Sequence, residues 1–444
     1  MRSLWEHRDR SDLYRNWIVL GLFIAVCLVA FGVVVGNELF TGHKSKDYPL
    51  WHRTGLAFWS PESIYAERRG EMLDFLYSPF AAMIIAPFAV LGKVPLYTVC
   101  VGAILAAWAW CVRQGVEIAT PGKTTLTVVV LPSLIVLPLF YNNFDLGQPN
   151  MILLGLILAA LRWDFKGRSI PAGLALGAAA AFKLFPLAVL PYWIVRRRFK
   201  AALIAGISAL AFLFLAPAPF RGFETNLEDL SIWYPAISHI DELTLAQRQS
   251  GWGYKNQSLY VMTHRLVRPV PTGTTPPSEP AHMNVLNLDF ETANRVYLGV
   301  AFLVGLGFLV LLRRASFDHP YQRAREWAIL VALITLATPL ARNYYFAALL
   351  IPITVLLQGI VEQQGSAVAR RSTTLLVCGI VLMILSVGGL PRILQAYGNM
   401  LWATVLIVSG LVDQLLNGGS NDRSSGPQRS APPLSQDGPG AAAP

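Results

Sequence analysis

The sequence predicts an all-α, polytopic integral membrane protein, and three observations carry that prediction. Hydrophobic residues make up 54% of the 444 and charged residues only 14%, which is outside the range of a water-soluble globule. Apolar stretches near the roughly 20 residues needed to cross a bilayer core of about 30 Å recur from one end of the chain to the other. The basic residues sit in short blocks between those stretches. The net charge of +10 therefore reads as topology, because cytoplasmic loops retain Lys and Arg. Nucleic acid, which needs one basic patch or stripe, is not an expected partner.

The tail 1–16 carries Arg2, Arg8, Arg10 and Arg15 and is expected in the cytoplasm. The first apolar run, Trp17 to Val35, is long for a signal core and ends in Gly-Asn-Glu without a small-x-small cleavage site. It reads as a retained helix leading outward. Residues 37–74 then form a polar outer loop with Asp47, His52, Arg53, Glu62, Glu67, Glu71 and Asp74 among Trp51, Trp59 and Tyr65. Toward the other end, helices near 199–217, 293–312, 326–341, 344–360, 372–388 and 400–416 bring three basic blocks to one side: Arg196 to Arg198, Arg313 with Arg314, and Arg370 with Arg371. Residues 218–292 are left as a second large outer loop.

The middle segments are 76–91, 95–112, 124–141, 149–161 and 170–195, the last interrupted by Lys183, Pro186 and Pro191. Splitting 170–195 into two half-length helices turns Lys183 and the Gly147-Gln148-Pro149-Asn150 turn outward, and turns Arg162, Lys166 and Arg168 inward. That arrangement requires one segment between 92 and 147 to be re-entrant or split, at Pro121 or Pro132. A single kinked crossing over 170–195 also closes the count, but it turns the basic block at 162–168 outward. The first is preferred, since irregular backbone is tolerated where it lines a protein cavity. The membrane domain is expected over 17–416, with about eleven to thirteen transmembrane or re-entrant segments. The Gly-, Ser- and Pro-rich stretch 417–444 reads as a disordered cytoplasmic tail. Cys27, Cys100, Cys111 and Cys378 lie within or beside apolar stretches without metal-ligand spacing, so they read as packing residues.

Several polar residues carry possible chemistry. Asp47 follows the first helix, and a carboxylate at the membrane surface is either a solvated loop acid or a general base for a hydroxyl within reach. Asp74 is the rival acid, explained equally by a charge at a helix start. Lys183 falls inside a run of alanines, where a lysine at the bilayer centre costs about 2.5–3.5 kcal/mol on insertion scales. Either it snorkels from a helix end, or a phosphate entering the bundle partners it. Gln148 and Asn150 offer amides for sugar hydroxyls or phosphate oxygens, or simply form a turn. Asn256 and Gln257, before Ser258, form a second amide-rich spot in the large loop. Arg342 precedes Asn343, Tyr344 and Tyr345 at a helix mouth, where it can bind phosphate and the tyrosines can contact substrate or anchor the interface.

Taken in order, these pieces resemble the polyprenol-phosphate-dependent mannosyltransferases of glycosyltransferase family 87, a GT-C type family. The matching residues are Asp47 and Trp51, Tyr65, then Phe75, Tyr77 and Pro79, then Gly147, Gln148 and Asn150. A small-residue helix from Gly173 to Lys183, the basic Arg196 to Arg198, Asn256-Gln257-Ser258 and Thr338-Pro339 follow. The resemblance implies a GT-C-like helical bundle, Asp47 as catalytic base, and a polyprenyl-phosphate sugar, most often mannose, as donor. Trp51, Tyr77, Gln148, Asn150, Asn256, Gln257 and Tyr345 are the expected substrate contacts, with Lys183 and Arg342 on the donor phosphate. Where the family shows Ser-Trp and then His after its Ser-Pro stretch, this chain has Ala341, Arg342 and Asn343, so Arg342 is assigned the missing positive charge.

The expected activity is therefore inverting sugar transfer to a lipid or glycan acceptor on the outer face of the membrane. Membrane lipids, donor and acceptor are the expected partners, with no resident cofactor, and no Asp-x-Asp carboxylate cluster for a metal is visible in the sequence. A flippase for lipid-linked sugars and a non-catalytic subunit of an envelope-assembly complex are the rivals. A transporter more often shows internal repeats, and none is visible here.

Overall fold

The structure is a computed structural model and describes residues 47–65, 68–69, 72–73, 75–119, 125–238, 251–276, 280–314, 319–386 and 392–417, with isolated positions 25, 28, 32 and 36. The tail 1–16, most of the expected first helix, Asp74, Pro121 and nearly all of the expected 417–444 tail lie outside the described residues.

The chain is an all-α bundle, its described strands being one antiparallel pair of two-residue segments, β1 (Arg68–Arg69) and β2 (Met72–Leu73). Helix α1 (Asp47–Ala57) is followed by α2 (Pro79–Val90), α3 (Lys93–Ala119), α4 (Leu126–Asp145), α5 (Asn150–Phe165) and α6 (Ser169–Phe182). After Lys183 the chain resumes as a 3-10 turn (Phe185–Ala188) and α7 (Val189–Val195), then α8 (Phe199–Phe214), α9 (Ala218–Arg221) and α10 (Phe223–Ser238). Next come α11 (Leu259–Val267), α12 (Phe290–Arg314), α13 (Pro320–Ala337), a 3-10 helix (Asn343–Leu349) leading into α14 (Leu350–Glu362), α15 (Ala367–Ile384), α16 (Arg392–Ala396) and α17 (Asn399–Asn417). Among the described residues seven helical stretches are long and apolar enough to cross a membrane: 93–119, 126–145, 199–221, 290–314, 343–362, 367–384 and 399–417. The protein is a multi-pass membrane protein.

Two expectations about the middle of the chain need correction. Neither α3 nor α4 is split: α4 runs unbroken through Pro132 and Pro138. Among the shorter apolar helices is α2, whose 12 residues span only about 18 Å, too short for the hydrocarbon core. Ser78 starts it, accepting the Ala81 N–H with its hydroxyl and donating to Ala181 O at 2.5 Å. Its far half packs along α1, where Ala86 O accepts from Trp59 Nε1 at 3.3 Å and Ala89 fills the space a side chain at Gly55 would need. The second correction concerns Asp47, expected in a loop. It opens a regular helix that buries Tyr48, Trp51, Thr54 and Gly55. The expected break at 183 is present, since α6 stops at Phe182 and Lys183 is extended, with φ −157° and ψ 131°.

One end of the bundle gathers the basic blocks. Arg162 pairs with Glu117 at 2.6 Å, Arg198 with Asp164 at 3.4 Å, Arg196 with Glu326, and Arg371 with Asp413 at 2.9 Å. Each pair joins the ends of two helices at the face remote from Lys183. Small residues let α6 and α8 approach closely, so that a Cβ at Gly177 would lie 2.9 Å from Ala205 O and Ala209 N. Such close backbone approach is how membrane helices gain packing where no hydrophobic effect drives them together. By contrast α12 turns Leu298, Phe302 and Leu303 outward, as expected of a helix surrounded by acyl chains.

Candidate active site

The site lies at the opposite end, where α1 meets the turn between α4 and α5. Gly147 makes that turn with φ +68°, and the ring of Tyr48 lies 3.2 Å from where its Cβ would be, so a side chain there would be strained and would crowd the ring. Three bonds from α1 fasten the turn: Asp47 N–H to Leu146 O at 3.3 Å, Tyr48 O–H to Phe144 O at 2.7 Å, and Trp51 Nε1 to Gly147 O at 3.1 Å. Asp47 is thereby set against Gln148, whose Nε2 donates to its Oδ2. The other end of the same amide, Oε1, accepts from the Tyr77 hydroxyl at 2.9 Å. Tyr65 in turn donates to Tyr77 O at 2.6 Å.

Lys183 completes the group from the broken end of α6. Its ammonium lies 5.1 Å from the Tyr77 ring centroid and 4.7 Å from that of Tyr345. Ring faces attract a cation without using its N–H donors. Among the described residues Lys183 makes no hydrogen bond or ion pair, so its three donors remain open. Trp51 and Phe182, with centroids 6.0 Å apart, and Tyr77 and Phe182, 5.8 Å apart, wall the site. Tyr344 stacks on Tyr345 at 5.1 Å, and Asn143 fixes the backbone there by donating to Tyr344 O. Burial pushes the Asp47 carboxyl up to about 6, against the opposing pull of Lys183 and Arg342.

The structure thus brings Asp47, Trp51, Tyr77, Gln148, Lys183, Arg342 and Tyr345 together. Asn150 lies two residues past Gln148 and lines a cavity with Leu154, Phe185, Thr338 and Tyr345. Both amide atoms of Asn150 are buried without a hydrogen-bond partner. Asn256 and Gln257, expected substrate contacts, spend their amide N–H donors on the protein's own backbone, while Gln257 Oε1 is buried without a hydrogen-bond partner among the described residues. Asn256 donates to Gly251 O and Pro339 O, both at 3.0 Å, and Gln257 donates to Tyr254 O and Gln395 O, both at 2.7 Å. Those amides are held by backbone carbonyls, and with the Gln257 N–H to Ala341 O bond at 2.8 Å they fix the strand of chain leading to Arg342. Trp51 donates its indole N–H to Gly147 O, and Gln148 uses each end of its amide once inside the protein, so both residues also shape the site.

Sequence reasoning missed Arg221. Its guanidinium is fully buried, pairs with Asp229 at 2.8 Å, and donates to Ala57 O, Phe58 O, Ser60 O and Glu62 O, the stretch that follows α1. A signal was available: Arg221 stands on the side that the positive-inside rule does not favour for arginine, eight residues before Asp229.

Comparison with known proteins bears on what this arrangement belongs to. The model of glycosyltransferase family 87 matches residues 75–339. The chain belongs to glycosyltransferase family 87. The matched region holds Tyr77, Gln148, Asn150 and Lys183, while Asp47 and Trp51 precede it and Arg342 and Tyr345 follow it. Two curated relatives are each named polyprenol-phosphate-mannose-dependent alpha-(1-2)-phosphatidylinositol mannoside mannosyltransferase. The Mycolicibacterium smegmatis protein is 29% identical over 210 residues, 43% of this chain and 45% of its own. The Mycobacterium tuberculosis protein is 30% identical over 194 residues, 40% of this chain and 43% of its own. The family 87 chain described here thus spans less than half the length of either relative. Among solved structures, the crystal structure of ArnT from Cupriavidus metallidurans in the apo state aligns over 91% of this chain and 78% of that one, at 13% identity and a TM-score of 0.37.

Proposed function

We propose that this protein transfers a sugar, mannose by analogy with its named relatives, from a polyprenyl-phosphate donor to a hydroxyl of a lipid or glycan acceptor. The observation that carries this reading is the pairing of a carboxylate having one oxygen, Asp47 Oδ1, without a partner among the described residues, with an ammonium whose donors are open among them, Lys183. Asp47 accepts the proton of the acceptor hydroxyl as its oxygen attacks the anomeric carbon. The bond from that carbon to the phosphate oxygen breaks with inversion, and its electron pair stays on the polyprenyl phosphate. Lys183 and Arg342 stabilise the charge developing there. The reaction is proposed to use no resident cofactor.

The direct test incubates purified protein in nanodiscs with radiolabelled polyprenyl-phosphate-mannose and phosphatidylinositol mannoside, beside a total membrane lipid extract. Label should appear in a lipid product, and Lys183→Gln should lower turnover about 10²–10³-fold, the scale seen when one donor to a developing anion is lost. No labelled product from any acceptor, or full turnover in Lys183→Gln, would overturn the proposal.

We further propose that the site faces the extracytoplasmic side, since the basic blocks gather at the other end of the bundle. Lys255, exposed beside the Asn256 segment, supplies the check. In Lys255→Cys a membrane-impermeant maleimide should react in intact cells. Labelling only after permeabilisation would reverse the orientation.

A further inference from the structure

We propose that Gln148 is a positioning residue that holds Asp47 in its ionised, base-competent form, with Tyr77 fixing the sense of the Gln148 amide. The proposal rests on the reading of Asp47 as the base. It adds a role for two residues whose side chains are bonded to one another and to the carboxylate.

The donors and acceptors allow one assignment. An ionised carboxylate can only accept hydrogen bonds, so the amide nitrogen of Gln148 must be the end that meets Asp47 Oδ2. The amide oxygen then faces Tyr77, and the phenol, able to donate or accept, must donate. Were Asp47 protonated on Oδ1, its Oδ2 would still accept the amide N–H, but as a neutral carbonyl oxygen and therefore more weakly than the carboxylate does. The hydrogen-bond chain from Tyr77 to Gln148 to Asp47 therefore senses and favours the carboxylate.

The chain is also rigid. Gln148 N–H donates to Asn143 O at 2.8 Å, and the three bonds from α1 to residues 144–147 prevent the carboxylate and the amide from drifting apart. The Tyr77 ring is packed 4.5 Å from that of Trp51, so its hydroxyl has a fixed origin. Four groups act electrostatically with Asp47 from the elements around it: Lys183 at the end of α6, Arg342 before the 3-10 helix, Tyr344 within it, and Tyr77 ahead of α2. Lys183 and Arg342 favour the carboxylate and burial opposes them; the Gln148 N–H, a donor to the charged form, adds to the first side.

Two readouts test this. The first is the pH dependence of turnover. In Gln148→Leu the acid limb should move to higher pH, so that turnover at pH near 6.5 falls about 10–100-fold and recovers to within a few-fold above pH 8, on the scale of a hydrogen bond to a charged group. Tyr77→Phe, isosteric and apolar-packed, should shift the limb the same way by less and leave KM for the donor unchanged. The second readout needs no activity: the infrared carboxyl band that disappears in Asp47→Asn is titrated in wild type and in each variant. Its midpoint should rise in Gln148→Leu and, by less, in Tyr77→Phe. A midpoint that does not move in either variant, or turnover depressed equally at every pH, would overturn the positioning role. A midpoint that moves in a protein that transfers no sugar would uphold Gln148 and sink the proposed function instead.

Discussion

Asp47→Asn should lower sugar transfer by about 10²–10⁴-fold, the usual worth of a positioned general base, while the protein still folds. Asn keeps the size of the side chain and can accept the Gln148 N–H, but it cannot take a proton. Thermal unfolding supplies the companion measurement, and its direction follows from burial. The folded Asp47 is raised to about 6 from an ordinary 3.8, so the folded state holds its proton more tightly than the unfolded chain does. The stability linked to that proton is fully present below about pH 4 and is lost as pH rises through 6. Above pH 6 the neutral Asn variant should therefore melt at or above the wild-type temperature, and the difference should close as pH falls from 6 toward 4. Retained turnover would remove Asp47 from the chemistry. A variant that melts well below wild type at neutral pH would make its carboxylate structural.

Arg221→Met should cost about 3–5 kcal/mol of stability, the range for removing one partner of a buried ion pair. The loss has two parts. Four carbonyls between Ala57 and Glu62 lose the Arg221 donor, of which Ala57 O keeps the Ser60 N–H at 3.0 Å, and Asp229 keeps only Ser63 Oγ and the Ile64 N–H at 2.8 and 3.1 Å. The orphaned carboxylate dominates, so Arg221→Met combined with Asp229→Leu should recover part of the loss. Because Arg221 secures the chain just after α1, turnover should fall with stability even though the guanidinium touches no reacting atom. Denaturation in nanodiscs measures this, and a transition indistinguishable from wild type would show that the pair contributes nothing net.

Much of the architecture is legible in the chain. The expected segments at 199–217, 293–312, 344–360, 372–388 and 400–416 all overlap observed helices, because the length of an apolar run is a local property and the bilayer sets the length it must have. The break at Lys183 was equally visible, since a lysine followed by Pro186 cannot continue an apolar helix cheaply. Proline alone misled. Pro132 and Pro138 sit inside an unbroken α4, because neighbouring helices re-satisfy what proline frees in a membrane. The short element went unnoticed because Phe75, Leu76 and Tyr77 lengthen the apolar run of α2 in sequence but lie outside the helix.

The sequence by itself determined that the chain crosses the membrane many times, where most of the helices run, and which polar residues stand out against the apolar background. It did not determine which of those residues have hydrogen-bonding capacity left for a ligand. Gln148 and Asn150 stand two residues apart in one turn, yet the first is occupied at both ends of its amide and the second at neither. Asn256 and Gln257 look like ligand-binding amides and serve backbone carbonyls up to 138 residues away. Hydropathy sums over neighbours in the chain, whereas hydrogen-bond satisfaction depends on which distant atom arrives, as Gln148 does at Asp47 across 101 residues, and only the packed bundle decides that.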